Sequence, residues 1–546
     1  MIASNAQREE IWSRLQGPWD VIIVGGGITG AGILSEATAR GLKALLVEQR
    51  DFAWGTSSRS SKLVHGGLRY LAQGHIRLVW ESVREREQLL REGPGIVEPL
   101  NFLLANYRGD KPGRWSVALG LSIYDMIAGC WQHEGLNRAQ LKQALPFLAD
   151  ENLTGGFRYH DATTDDARLV LRVLREAVHG GGTAINYAAA EEVVRENGAV
   201  VGVRVRDSAG GLGVVTCRAR VVINATGAWA DVLRRQVDAP DKVRPLRGSH
   251  LVFPASRLPL QEAVALLHPV DKRTLFVFPW EGASVIGTTD LDYSGSLQDE
   301  PAITPAEVAY LMTVAEQRFP SLKLTLDDVI ASYCGVRPVI NSGKAKPSDE
   351  TRDHIVLGER GLVTVTGGKL TTFRLIARDT LEFIRRHVTD LPLQKREGRT
   401  LLQPVEETSL PAELSIAPAE RRRLVGRHGA DAPALVAAAG AAELEHMGST
   451  AFSWAELRWA ARQEWVVRLD DLMLRRVRVG LLLPDGGRDY LPRVRAICQR
   501  ELGWSDARWQ AEEDAYLDLW KRNYSLPPRA SIPDWRAPAQ PIRESA

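Results

Sequence analysis

Three cations of this chain sit where a bound anion could reach them. Arg69 lies just after Gly66-Gly67, Arg337 precedes Pro338, and Lys369 follows Gly367-Gly368. All three stand beside small or rigid backbone rather than in solvated runs of charge. A guanidinium so placed offers oxyanions a fixed fork of donors, whereas most arginines simply face water. Arg352, in Thr351-Arg352-Asp353, suits either role. Tyr70 adds a hydroxyl donor beside Arg69. The ordinary pKa of histidine lies near neutrality, so His65 is the first candidate for moving a proton. Packing beside a ligand, or hydrogen bonding to one without proton transfer, suits His65 equally. His250 is a second candidate base, and arginine-assisted transfer to water is a third route.

The means of holding a large ligand lie upstream. From Asp20 to Glu48 the chain reads DVIIVGGGITGAGILSEATARGLKALLVE. An apolar run leads into Gly25-Gly26-Gly27-Ile28-Thr29-Gly30, then a helical segment, a second apolar run and an acid. Gly25 permits a tight turn out of a strand, Gly27 lets backbone approach a pyrophosphate, and Gly30 lets the helix pack closely on the sheet. The helix N-terminus presents N–H groups and partial positive charge to phosphates. Glu48, followed by Gln49, would accept hydrogen bonds from ribose hydroxyls. A glycine turn alone says little, but strand, turn, helix, strand and acid in this order predict a dinucleotide.

The position of this fingerprint in a long chain favours FAD over NAD, and three stretches agree. Thr56-Ser57-Ser58 sets small hydroxyls along the path of an extended cofactor. Ala225-Thr226-Gly227 ends an apolar strand at a small-residue turn, and Gly367-Gly368-Lys369-Leu370-Thr371 starts a helix where N–H groups would face a flavin pyrimidine edge. Each alone reads as an ordinary turn or cap. Together with the fingerprint they point to a flavin.

These residues need elements to position them. At 546 residues, with 44% apolar and 25% charged side chains, the chain is of ordinary globular composition and long enough for about three or four domain-sized units. Sixty-nine basic against 67 acidic residues leave a net charge of +2, so no global field draws it to nucleic acid. Four scattered cysteines without a CxxC give no zinc site or disulfide framework and favour a reducing compartment. No secretory signal is apparent, and the apolar stretch 116–131 contains Asp125 and is too short to span a bilayer. A soluble or peripheral protein is expected.

Apolar periodicity predicts helices within 1–18, over 76–92, 165–179 and 305–318, and through most of 418–522. Strands are expected over 184–222, in short stretches of 243–340, and after Glu350. Residues 94–131 read as irregular before their apolar segment, 391–417 as a proline-marked break, and the tail from Leu526 as loosely ordered. The organisation inferred is a discontinuous dinucleotide domain (19–75, 161–240, 350–392), a substrate or cap domain (76–160, 241–349), a helical domain (393–526) and a Pro-rich tail (527–546).

The run Thr56-Ser57-Ser58-Arg59-Ser60-Ser61-Lys62-Leu63-Val64-His65-Gly66-Gly67-Leu68-Arg69-Tyr70-Leu71 closely resembles the aerobic FAD-dependent glycerol-3-phosphate dehydrogenases. So do Asp165–Val170, Gly248-Ser249-His250, Ile286–Asp290, Gly335-Val336-Arg337-Pro338, Gly367–Thr372, Glu464-Trp465-Val466 and Leu469-Asp470-Asp471, in the family's order from about residue 19 to about 500. Arg59, where a small residue is usual, and the two ends depart from the pattern. The resemblance implies an α/β fold: a Rossmann-like FAD-binding domain, a mainly antiparallel substrate sheet and a C-terminal helical domain. It implies FAD along Gly25–Gly30, Glu48, Gln49, Thr56, Ser57, Ser58, Ser61, Lys62, Leu63, His65, Gly66, Gly67, Ala225–Gly227 and Gly367–Thr371. Substrate would meet Arg69, Tyr70, His250, Arg337, Arg352 and Lys369, with His65, Arg337 and Lys369 closest to the chemistry.

The implied reaction is oxidation of sn-glycerol 3-phosphate to dihydroxyacetone phosphate, with electrons passing to a membrane quinone. That places the enzyme on the cytoplasmic membrane surface, with a homodimer as a further expectation. Lys111-Pro112-Gly113-Arg114-Trp115 before the apolar 117–127 suits an interfacial contact or a core helix; the arginines of 468–478 beside 479–483 suit domain packing better. Rival readings are an oxidase that uses oxygen, a related amine or amino-acid oxidase, and a non-catalytic FAD-binding partner.

Overall fold

Near-continuous apolar strands demand cover on both faces, and the fingerprint strands receive it. In the computed structural model, which describes residues 5–71, 74–129, 131–344, 350, 352–388, 391–394, 400–412, 414 and 416–537, they form the middle of an eight-stranded sheet. Its order is His354–Glu359, Leu362–Gly367, Val214–Asn224, Pro18–Val24, Ala44–Val47, Thr183–Ile185, with Ala188–Glu196 and Ala199–Asp207 attached as a hairpin. The central pairs are parallel, with Val21 opposite Val221 and Ala44. Helix Ile28–Ala39 packs its Ile33, Leu34 and Ala37 among Leu174 of helix Asp166–His179 and Phe373 of helix Phe373–His387.

The second sheet has ten strands and is mainly antiparallel. Its long members are Val97–Tyr107, Leu153–Thr164, Val243–Pro254 and Ala331–Ile340. Val97–Tyr107 runs through the stretch that reads as irregular, Pro99 included. Pro99 pairs only toward the Leu153–Thr164 strand, because the neighbour on the other side, Ala263–Leu267, begins pairing at Phe102. An edge-like position tolerates the missing N–H. Leu63–Val64 and all of Leu153–Thr164 belong to this sheet, so the chain crosses between sheets at about 62–65 and 164–166, not at 75 and 161.

Helices Pro418–His428, Trp454–Gln463, Leu491–Leu502 and Asp506–Asn523 form the C-terminal part. Leu457, Met473, Trp509 and Tyr516 share one core with Val252, Phe278, Trp280 and Tyr333 of the second sheet. The tail departs from the loose segment expected: Leu526, Ile532 and Trp535 pack against the core around helix Pro305–Arg318. Residues beyond 537 lie outside the described part. Among the described residues no helix is long and apolar enough to cross a membrane, and no cluster of histidine, cysteine or acid is set to hold a metal.

Candidate active site

The fingerprint turn is built by close approach. Gly25 has φ +116°, and a Cβ there would stand 2.6 Å from the Ala225 carbonyl oxygen. A Cβ on Gly30 would meet the Gly25 oxygen at 1.9 Å. This joins the first turn of the helix to the strand end. Glu48 closes the turn from the next strand, accepting from Gly26 N at 2.6 Å and Arg50 N at 2.9 Å. Its carboxylate therefore holds the backbone of the turn, and burial raises its pKa. Ile28 N donates to Ser57 Oγ at 3.0 Å, so a hydroxyl already caps one of the helix N–H groups expected to face phosphate.

A cavity of about 920 Å³ runs from this turn to the second sheet. Its wall starts at Gly25, Gly27, Ile28, Thr29, Glu48 and Gln49, and continues past Thr56, Ser57, Ser61, Leu63, His65, Gly67 and Ala225–Gly227. It ends at Gly367, Gly368, Lys369, Leu370 and Thr371, with Tyr70, His250, Arg337 and Arg352 around the same end. The glycine fingerprint and the late glycine turn thus open on one space. That space, with its glycine floor, fits an extended dinucleotide.

Five residues expected to touch the cofactor stand behind the wall. Gly26 and Gly30 shape the turn. Ser58 is buried, with its hydroxyl turned toward the Trp54 carbonyl. Gly66 N donates to Asp161 Oδ1 at 3.0 Å. Lys62 is fully buried, its Nζ 2.9 Å from both Asp166 oxygens and 2.6 Å from the Ser58 carbonyl. Burial and the nearby Arg478 push its pKa down to about 7. Thr56 lines the cavity, but its hydroxyl donates to the Val336 carbonyl. Arg69 lies in the short helix Leu68–Leu71, and its side chain lies outside the described residues.

His65 is tied to the late glycine turn: its N donates to Thr371 Oγ1 at 3.2 Å, and its ring lies 6.4 Å from that of Phe276. His250 is buried, stacked 4.4 Å from Tyr333, with Nε2 2.9 Å from Ser61 Oγ. Burial, reinforced by Lys62 and Arg337, holds its pKa well below the usual value. His250 is accordingly a neutral ring near pH 7, able to accept or donate one hydrogen bond without storing a proton.

At the far end, Arg337 Nη2 donates to the Thr289 carbonyl at 2.7 Å and lies 3.2 Å from Asp290 Oδ1. Arg352 Nη2 meets Asp290 Oδ2 at 3.3 Å. A Cβ on Gly248 would stand 2.3 Å from Arg337 Nη2, so glycine there leaves room for the guanidinium. Lys369 Nζ lies 4.0 Å from the Tyr70 ring centre and 3.3 Å from Ser82 Oγ. Glu307 braces the turn from beneath, accepting from Thr289 Oγ1 at 2.7 Å and Ser249 Oγ at 2.9 Å. The sequence reading missed Lys272 and Arg273, which also line the cavity. Their setting, Val270-Asp271-Lys272-Arg273, reads as a solvated turn and carries no local signal.

Residues 20–378 match the family described as FAD dependent oxidoreductase. The chain belongs to the FAD-dependent oxidoreductases. Residues 396–509 match the C-terminal domain of alpha-glycerophosphate oxidase. The chain is 37% identical over 404 residues to the aerobic glycerol-3-phosphate dehydrogenase of Bacillus subtilis (strain 168), covering 72% of this chain and 70% of that one. The enzyme of the same name from Staphylococcus aureus (strain USA300) is 38% identical over 396 residues, 71% of each. The FAD-complexed glycerol-3-phosphate dehydrogenase from Bacillus halodurans superposes with a TM-score of 0.75 at 29% identity, covering 94% of this chain and 98% of that one. The L-alpha-glycerophosphate oxidase of Mycoplasma pneumoniae, with FAD bound, shares the fold at a TM-score of 0.57 and 17% identity, covering 71% of this chain and 98% of its own. FAD is the cofactor these findings assign, and the glycine-floored cavity accommodates it.

Proposed function

We propose that the protein oxidises sn-glycerol 3-phosphate to dihydroxyacetone phosphate and delivers the electrons to a membrane quinone. The observation that carries this reading is that Arg337, Arg352 and Lys369 line the same cavity as the fingerprint turn, with Arg337 and Arg352 drawn together on Asp290. Cationic forks suit a phosphate monoester, and charge-assisted contacts of this kind contribute about 1.5–3 kcal/mol each. FAD, when bound, supplies the acceptor for the hydride leaving C2. His65, on the cavity wall and tied to the Thr371 turn, takes the proton of the C2 hydroxyl. Lys369 and Tyr70 hold the hydroxyl oxygens, and His250 fixes the ligand as a neutral partner. Cofactor contacts fall to Gly25, Gly27, Ile28, Thr29, Glu48, Gln49, Ser57, Ser61, Leu63, His65, Gly67, Ala225–Gly227 and Gly367–Thr371. Arg69 joins the substrate contacts by family resemblance.

The membrane side of the reading rests on helix Arg114–Ala128 and its neighbour Ile76–Glu92. Trp115 is 90% exposed, and Leu119, Met126, Trp131, Ile76 and Trp80 are exposed around it. Val117, Gly120 and Ile123 of the same helix line the cavity. Exposed tryptophans beside Lys111, Arg77 and Arg114 suit an interface with anionic lipid, and this face would bring a quinone toward the flavin. Co-sedimentation with anionic vesicles checks this: Trp115→Ser should weaken it, and equal sedimentation would remove the surface from the account.

An oxygen-using enzyme is the second reading, favoured by the match of 396–509 to an oxidase's C-terminal domain. Turnover with glycerol 3-phosphate separates them. A quinone requirement without peroxide supports the dehydrogenase; stoichiometric peroxide without any quinone supports the oxidase.

A further inference from the structure

We propose that Arg273, on the turn between strands Ala263–Leu267 and Thr274–Trp280, is a phosphate-binding residue that completes a three-arginine anion site. The inference rests on the glycerol 3-phosphate reading above and adds a ligand-binding residue to it. The turn is held rigidly from behind. His268 is buried, stacked 3.6 Å from the Tyr310 ring, and its Nδ1 accepts from Val270 N at 3.2 Å. Tyr310 OH donates to Asp271 at 3.0 Å, and Lys272 N donates to the His268 carbonyl at 3.0 Å. Asp271 also accepts from Arg273 N at 3.1 Å, so the acid fixes the backbone of the arginine as well as the turn.

Held this way, Arg273 enters the cavity wall beside the Thr288–Asp290 turn. Its Nη2 donates to the Thr288 carbonyl, Arg337 donates to the Thr289 carbonyl, and Arg352 meets the Asp290 carboxylate. Three guanidiniums therefore converge on three successive residues. Asp290 lies against Arg337 and Arg352, while Glu307 beneath the turn lies against Arg247. Three forked cations lining one cavity around one turn suit a phosphate monoester, whose oxygens accept paired N–H donors. The Nε of Arg273 is also buried without a hydrogen-bond partner.

The test uses the FAD-loaded enzyme with Arg273→Gln and Arg273→Lys. Steady-state KM for glycerol 3-phosphate is measured together with the competitive inhibition constant of inorganic phosphate. Arg273→Gln should raise both roughly ten- to hundredfold, with Arg273→Lys intermediate, because the lysine keeps charge but loses the fork. Flavin content and absorption spectrum should match wild type. A KM and a phosphate constant both within about twofold of wild type would overturn the proposal. So would a raised KM with an unchanged phosphate constant, which moves Arg273 to the glycerol end or the scaffold. If Arg273→Gln does not fold, Arg273→Lys decides alone by the same pair of constants. Phosphate binding titrated by the flavin spectrum does not depend on turnover, so it still tests Arg273 if the wild-type enzyme fails to oxidise glycerol 3-phosphate.

Discussion

Two clusters of arginine lie within one molecule, and their charge is met in different ways. Behind the flavin-facing loop, Arg427, Arg475, Arg476 and Arg478 are buried at 2% exposure or less. Each is answered by acid: Asp51 bonds Arg475 and Arg476 at 2.5 and 2.6 Å, Asp165 bonds Arg427 at 2.8 Å, and Asp166 bonds Arg478 at 2.9 Å. Arg478 and Lys62 also converge on the Ser58 carbonyl. At the cavity end, Arg273, Arg337 and Arg352 share Asp290 and backbone carbonyls. Where carboxylates match the guanidiniums, the cluster ties the C-terminal helices to the FAD-facing loop; where the guanidiniums line a cavity and lean partly on backbone carbonyls, they stand where the proposed ligand would meet them.

The strongest way to break this contrast is to unbalance the matched cluster. Arg476→Met removes one of the two guanidiniums that meet Asp51, leaving Arg475 alone against it, and removing one partner of a buried pair costs about 3–5 kcal/mol. Melting temperature and retained FAD should both fall sharply; an unchanged melting curve would show the cluster to be dispensable. Next in size, Arg337→Ala in the cavity cluster should lower kcat/KM for glycerol 3-phosphate roughly ten- to hundredfold while FAD stays bound. Loss of FAD instead would make Arg337 part of the scaffold.

Acid should separate the clusters as well. Burial opposes ionisation of Asp165, but Arg478, Arg427 and Lys62 overcome it and hold its pKa down to about 2, against 3.8 in the open chain. A depressed pKa stabilises the fold above the unfolded value, and that stability is lost as pH falls through the window from about 4 to about 2. The loss at this one carboxylate is about 2 kcal/mol, read as a drop in the denaturation midpoint across that window, and Asp165→Asn should flatten the slope. A smaller effect is expected from Gly248→Ala, whose methyl must displace the flexible Arg337 head: a KM raised about severalfold with FAD content unchanged. Least of all, Arg385→Gln removes a solvent-exposed pair with Glu382 and should leave melting temperature and kinetics as they were.

The dinucleotide half was largely legible in the chain because its signals are local. The strand, glycine turn, helix and strand of 20–48 and the helix over 165–179 emerge at or near their expected bounds, as do the cap helices over 76–92 and over 305–318, the latter with its Thr304/Glu307 capping box. Val97–Tyr107 was hidden because Pro99 argues against a strand unless one edge is known to be open. The packed tail was hidden because proline content reports the chain's stiffness, not what Leu526 and Trp535 find to cover. At the site, Arg337 and Lys369 are flagged by neighbouring glycine and proline, whereas Arg273 is marked only by what its turn packs against. Lys62 shows the reverse error: a conspicuous motif residue whose charge is spent on Asp166, one layer behind the cavity.

One measurement tests the central claim most directly. The FAD-loaded protein is mixed with sn-glycerol 3-phosphate in the absence of oxygen while the oxidised-flavin absorbance is followed. The account predicts that this absorbance bleaches and that dihydroxyacetone phosphate appears in step with it. A flavin that stays oxidised, in protein shown to hold FAD, would contradict the account.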